Sequence, residues 1–170
     1  MLINNAGIER AGKAEDYDDA DWGRIIAVNL SGTFACCQAF GRMMIARKRG
    51  KVINISSACG LFGYSFIVAY NASKAGVSSL TQTLAIEWGC HNIQDNAIIP
   101  GFVVTPLNQA NMEDPENLEF NRRIIPSGRL SEPEDLVGPI VFLAYPAADY
   151  VSGELLVVDA GAGGGSRDTR

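Results

Sequence analysis

The chain alternates short apolar runs with longer stretches in which apolar side chains recur every three or four positions. Leu2-Ile3 reads as a strand stub, and Asn4-Asn5-Ala6-Gly7 as the turn that follows it. From Trp22 to Arg47 apolar residues fall at Ile26, Leu30, Phe34, Cys37, Phe40, Met44 and Ile45, the spacing of an amphipathic helix. The acidic stretch Asp16–Asp21 precedes that helix and the basic Arg47-Lys48-Arg49 closes it, both in keeping with the helix dipole, and Gly50 is expected to end it. Lys51–Ser56 is a candidate buried strand that carries Ser57 into a loop running through Gly63. A second long helix is predicted from Ala69 to Trp88, then a strand from Ile93 to Ile99 closed by Pro100-Gly101. Residues 106–126, with Pro106, Pro115 and Pro126, suit a mobile flap containing short helices. A helix starting near Pro133 and ending about Ala144 leads to a last strand, Glu154–Asp159. Residues 1–160 are thus expected to form one α/β domain, with Gly161–Arg170 as a flexible tail.

Alternating strands and helices argue for a parallel sheet with helices on both faces. Sheets of this kind bind ligands beyond the carboxyl ends of their strands. Asn5, Ser57 and Pro100-Gly101 each follow a strand end, so a site is expected there.

Composition narrows the classes. At 170 residues and 47% apolar content the chain can bury a core. A net charge of −5 speaks against a nucleic-acid surface. There is no apolar run near ~18 residues and no charged-then-apolar leader, so the expectation is a cytoplasmic protein with no membrane span. Cys36, Cys37, Cys59 and Cys90 lack metal or disulfide spacing, and His91 follows a helix end as a surface residue. No metal site is expected.

The candidate chemistry centres on Tyr70 and Lys74, four residues apart and so on one helix face. A free phenol titrates near ~10, and work near neutrality needs a shift of about three units, roughly 4 kcal/mol. A neighbouring ammonium supplies part of that by favouring the phenolate. Ser57 stands upstream of the tyrosine, and Asn29 interrupts the first long helix. Taken singly, each has an ordinary reading: Tyr-x-x-x-Lys occurs on helices by chance, Ser57 can cap a loop and Asn29 can be a polar helix residue.

In combination these residues resemble the short-chain dehydrogenase/reductase family. The resemblance runs through Asn4-Asn5-Ala6-Gly7, Val28-Asn29-Leu30, Ile53–Ser57, Tyr70-x-x-x-Lys74, Pro100–Thr105 and Ser152–Asp159. It implies a Rossmann-like doubly wound sheet of seven strands, of which this chain would supply the last four. It also implies that Tyr70 is the acid/base, that Lys74 lowers its pKa and holds the nicotinamide ribose, and that Ser57 hydrogen-bonds the substrate oxygen. Asn29 would position a water in a proton relay. Asn5, Ala6 and Gly7 would line the adenosine side of NAD or NADP, and Pro100, Gly101, Val103 and Thr105 the nicotinamide side, with the Val103 backbone and Thr105 contacting the carboxamide. The implied substrate is a small alcohol or ketone. Ile125–Arg129, Pro133–Leu136 and Asp149–Val151 look most like gluconate or deoxygluconate dehydrogenases, followed by acyl-carrier-protein ketoreductases.

The sequence also departs from the family. The glycine-rich phosphate turn and the residue that selects NAD or NADP have no counterpart, which leads to the expectation of an N-terminally truncated chain. Ala160 replaces a usual glycine. Asp95 falls where a buried strand wants an apolar residue, and an unpaired charge there would cost several kcal/mol. The two long helices resemble those through which members form dimers and tetramers. Two functions follow: an NAD(P)-dependent alcohol dehydrogenase or carbonyl reductase, or a truncated inactive chain acting only in oligomer association. The 170 residues alone are expected to be inactive.

Overall fold

The computed structural model describes residues 1–108 and 114–163. Four parallel strands, β1 (Leu2–Asn4), β2 (Gly50–Ile55), β3 (Ile93–Pro100) and β4 (Leu155–Val158), lie side by side in sequence order. Ile3 pairs with Ile53, Ile53 with Asn96, and Ala97 with Leu155, which fixes the register across the sheet. Every residue of β3 is buried, as expected of a central parallel strand covered on both faces.

The helices divide between those faces. α1 (Asp19–Ile26), α2 (Gly32–Arg47) and α3 (Val68–Trp88) belong to one side, where Cys37, Met44 and Leu84 pack with Val52 and Ile93. α4 (Pro115–Ile124) lies in the flap, and α5 (Val137–Ala144) covers the other face by packing Leu143 against Ile53 and Ile98. Each fully buried aliphatic side chain contributes roughly 1.5–3 kcal/mol, so these two clusters hold the layers together.

Three boundaries differ from expectation. The first long helix begins at Asp19, because the Asp18 carboxylate caps it by accepting from the Ala20 amide at 2.7 Å and the Asp21 amide at 3.2 Å. That helix is interrupted: Ala27–Ser31 form a wide π turn centred on Asn29. Its end is made by Lys48, which takes a left-handed conformation (φ 50°), not by Gly50. Gly50 opens β2, where a Cβ would collide with the Met44 side chain.

Asp95 is fully buried but not isolated. Asn4, Asn54 and Asp95 form a polar ladder across β1, β2 and β3. The Asn4 amide donates to Asn54 Oδ1 at 2.7 Å, and Asn54 Nδ2 donates at 2.9 Å to both Asp95 Oδ1 and Thr81 Oγ1. Burial pushes the Asp95 carboxyl up to about 8, so at neutral pH it is mostly a neutral acid rather than the buried charge feared from sequence. Its Oδ2 finds no partner among the described residues.

The expected tail begins differently from a free end. Asp159 accepts from the Gly161 amide at 2.8 Å and the Gly163 amide at 2.7 Å, folding 161–163 into a turn; residues 164–170 lie outside those described.

Candidate active site

The carboxyl end of β2 and the first turns of α3 bring the central groups together. Ser56, the residue after β2, ties the two elements: its hydroxyl donates to the Lys74 carbonyl at 2.9 Å and lies 2.9 Å from Ser78 Oγ. Ser57 follows in extended conformation, is buried, and caps the short turn Ala58–Gly60 by accepting from the Cys59 amide at 3.1 Å. Its hydroxyl is also close enough to the Tyr70 phenol to act on it by hydrogen bonding.

Tyr70 and Lys74 share a face of α3, as their spacing requires. The Lys74 ammonium sits 5.6 Å from the centre of the Tyr70 ring and donates to the Ile55 carbonyl at 2.7 Å. Only 4% of Lys74 is exposed, and burial lowers its pKa to about 8. The expectation that Lys74 pulls the phenol down is not met in this arrangement. Burial pushes the Tyr70 phenol up, the Cys59 and Glu9 charges add to that, and the Ser57 hydrogen bond only partly offsets it. The chief reason is desolvation of the phenol, and the Lys74 ammonium, directed at the Ile55 carbonyl and the ring face, makes no hydrogen bond to the phenol oxygen that would offset it.

Asn29 is fully buried in the π turn, where its side chain clamps the loop after β1. Oδ1 accepts from the Ile8 amide at 2.8 Å, while Nδ2 donates to the Ile8 carbonyl at 2.9 Å and to Ser73 Oγ at 3.1 Å. Gly7 lies against the same group: a Cβ there would be 3.6 Å from both Asn29 Oδ1 and Lys74 Nζ. Asn29 and Lys74 therefore meet over Gly7. Asn5 and Ala6 are exposed beyond the end of β1.

The remaining segment leaves β3 through Pro100 and Gly101, with the Gly101 amide donating to the Val158 carbonyl at 3.1 Å. Beyond it Val103 bridges to Ser131. The amide of Asn108 already engages Val103 and Thr105: Nδ2 donates to the Val103 carbonyl at 2.7 Å, and Oδ1 accepts from the Thr105 amide at 2.9 Å and Thr105 Oγ1 at 3.3 Å. Sequence reasoning missed Ile8, Ser73 and Asn108. The first acts through its backbone, and the other two stand beside Lys74 and three residues after Thr105, so proximity was the only signal.

Two cavities lie elsewhere. One of about 190 Å³ opens between Phe102, Ile125, Arg129 and Asp159 beside the flap. The other, about 580 Å³, lies at the amino ends of β2 and β3 against Arg49, Lys51 and Gln94. Neither is lined by Tyr70 or Ser57, so the site is defined by its side-chain geometry.

Residues 1–163 match the family model described as enoyl-(acyl carrier protein) reductase. The chain belongs to the short-chain dehydrogenase/reductase family. It is 42% identical over 161 residues to 2-dehydro-3-deoxy-D-gluconate 5-dehydrogenase of Bacillus subtilis, covering 95% of this chain and 63% of that one. It is 41% identical over 163 residues to the L-tagatose-forming galactitol 2-dehydrogenase of Cereibacter sphaeroides, with 95% and 64% covered. A solved gluconate 5-dehydrogenase from Burkholderia cenocepacia, in complex with NADP and tartrate, superposes with a TM-score of 0.95 at 36% identity, covering 96% of this chain and 65% of that one. The chain thus spans just under two thirds of the length of these relatives.

Proposed function

We propose that this segment carries the catalytic and nicotinamide-facing part of an NAD(P)-dependent oxidoreductase that interconverts a secondary alcohol and a ketone. The observation that carries the reading is the triple placement of Ser57, Tyr70 and Lys74: a hydroxyl acting on the phenol of a half-buried tyrosine, with an ammonium over its ring. Tyr70 is the acid/base, Ser57 holds the substrate oxygen, and Lys74 supports the phenol from behind. A phenol held neutral is the form that donates a proton, so the resting state suits reduction of a carbonyl. Oxidation of an alcohol needs the phenolate, which Lys74 would stabilise once its ammonium turns from the ring face toward the oxygen.

The residues present fit a nicotinamide. Gly7 puts no side chain beside Lys74, and the hydrogen bonds that Val103 and Thr105 make to the Asn108 amide support a match to the acceptor and donors a carboxamide requires. Asn5, Ala6 and Gly7 would line the adenosine side, and Pro100 and Gly101 would shape the turn against the nicotinamide. The bound nicotinamide would supply or accept the hydride at the carbinol carbon.

The relatives' names point to polyols and sugar acids as the substrate class. In this reading the protein works in the cytoplasm as a dimer or tetramer. Exposed Phe34, Phe40 and Met43 on α2 and Ile86 on α3 support assembly through those helices, and no described helix is long and apolar enough to cross a membrane. The test uses the protein made from its whole coding sequence. Tyr70→Phe is expected to leave nicotinamide binding in place and to cut turnover by about 10² or more. Near-normal turnover in that variant would remove Tyr70 from the mechanism.

A further inference from the structure

The cavity of about 580 Å³ lies at the opposite end of the sheet from Tyr70. β2 carries Lys51 at its start and Ser57 just past its end, and at ~3.3 Å per residue the two are separated by roughly 20 Å. Although the chain has a net charge of −5, this cavity gathers cations: Arg47 and Arg49 from the end of α2 and Lys51 from β2 line it together with Asn92, Gln94 and Asp149. Neither arginine makes an ion pair among the described residues. Only 14% of the Lys51 side chain is exposed, and its ammonium is shielded from solvent. Asp149 Oδ1 lies 2.8 Å away, but the contact lacks hydrogen-bond geometry, so the ammonium has an opposite charge on one side and no hydrogen-bond acceptor among the described residues. A cation taken out of water with its donors unfilled carries a desolvation cost that an anion in the cavity would offset.

The negative charge around the cavity does not cancel its three cations. Asp149 is the one carboxylate among the lining residues, and 60% of its side chain is exposed, so water weakens its field. The partial negative charge at the end of α2 is blunted, because the Ile45 and Met44 carbonyls already accept from the Lys48 and Arg49 amides at 3.1 and 3.3 Å. Asn92 and Gln94 are joined only by a long contact of 3.4 Å, which leaves their amides able to meet hydroxyl groups.

We propose that this cavity binds a small phosphorylated metabolite, its phosphate on Lys51, Arg47 and Arg49 and its hydroxyl-bearing body against Asn92 and Gln94. Three cations and one carboxylate leave an excess of two positive charges, which matches the charge of about −1.5 to −2 that a phosphate monoester carries at neutral pH. The guanidinium groups suit phosphate oxygens in pairs, and the lysine adds a point charge. The hollow is larger than one phosphate fills and lies within the range of about 300–1,000 Å³ found for small-molecule sites.

The test compares glucose 6-phosphate, inorganic phosphate and glucose by calorimetry or ligand-observed NMR on the protein made from its whole coding sequence. Glucose 6-phosphate is expected to bind at least threefold more tightly than inorganic phosphate and tenfold more tightly than glucose, and to lose affinity in high salt. Lys51→Met should weaken it by tenfold or more through loss of a charge-assisted hydrogen bond. Should that variant fail to fold, the exposed pair Arg47→Gln with Arg49→Gln gives the same reading, and Asp149→Asn should tighten binding by about threefold. Saturating NADP should leave the affinity unchanged. Glucose 6-phosphate bound no more tightly than inorganic phosphate or glucose, an unchanged affinity in the arginine variant, or displacement by NADP would each overturn the proposal, the last by placing the phosphate in the dinucleotide site.

Discussion

Asp95 gives the sharpest quantitative expectation. Its carboxyl is fully buried in β3, bonded on one oxygen to Asn54, and its pKa is raised from 3.8 to about 8. An acid whose folded pKa lies above its unfolded value contributes stability below the unfolded pKa and loses it as pH rises through the folded one. Between those limits the folded state holds one more proton, so unfolding becomes easier by about 1.4 kcal/mol per pH unit. Across the window from 3.8 to about 8 this integrates to roughly 6 kcal/mol. Asp95→Asn removes the titration and keeps an oxygen for the Asn54 amide. Urea denaturation at pH 5, 7 and 8.5 should show the unmodified protein weakening steadily relative to the variant, with the variant more stable by a few kcal/mol at the top of the range. Parallel pH profiles for the two proteins would refute the argument, because they would mean that Asp95 carries the same charge folded and unfolded.

Two further outcomes follow from packing at the site. Asn29→Ala leaves both backbone groups of Ile8 without their partner and should cost roughly 2 kcal/mol or more, seen as faster amide exchange at Ile8 and a lower denaturation midpoint; slow exchange there would mean that the π turn does not hold the loop. Gly60→Ala would put a Cβ 2.7 Å from the carbonyl carbon of Lys74, and since backbone cannot yield cheaply it should lose about 1–3 kcal/mol and speed exchange at Ala75, whereas an unchanged midpoint would contradict the contact.

The readable parts of the molecule were those written in periodicity. The strand Ile93–Ile99 and the helix Ala69–Trp88 lie within a residue of β3 and α3 because uninterrupted burial and a long apolar stripe dominate local choices. The Tyr70–Lys74 spacing was legible because helix geometry alone decides it. Asn29 was visible as an oddity, but its π turn was not: an extra residue in a helical turn leaves the three-four pattern of Ile26, Leu30 and Phe34 nearly intact. Asp95 stood out as a cost, yet the ladder from Asn4 through Asn54 depends on strand register, which no single segment reveals. The direction of the Tyr70 shift differs from expectation because residue spacing says nothing of how far folding desolvates the phenol.

Asn108 has a consequence for how ligands compete at the flap. Its side-chain amide already fills Val103 and Thr105, so a carboxamide arriving there exchanges hydrogen bonds one for one with a tethered copy of itself. The net gain in bonding is then close to nil, and what decides entry is whether the displaced Asn108 finds water or other partners. A ligand offering only half of the pattern, an acid or a methyl ketone in place of the amide, would leave Val103 or Thr105 short of a bond and would compete poorly with Asn108. Discrimination at this point would come from an incumbent that must be matched, with no pocket needed to measure the newcomer's shape.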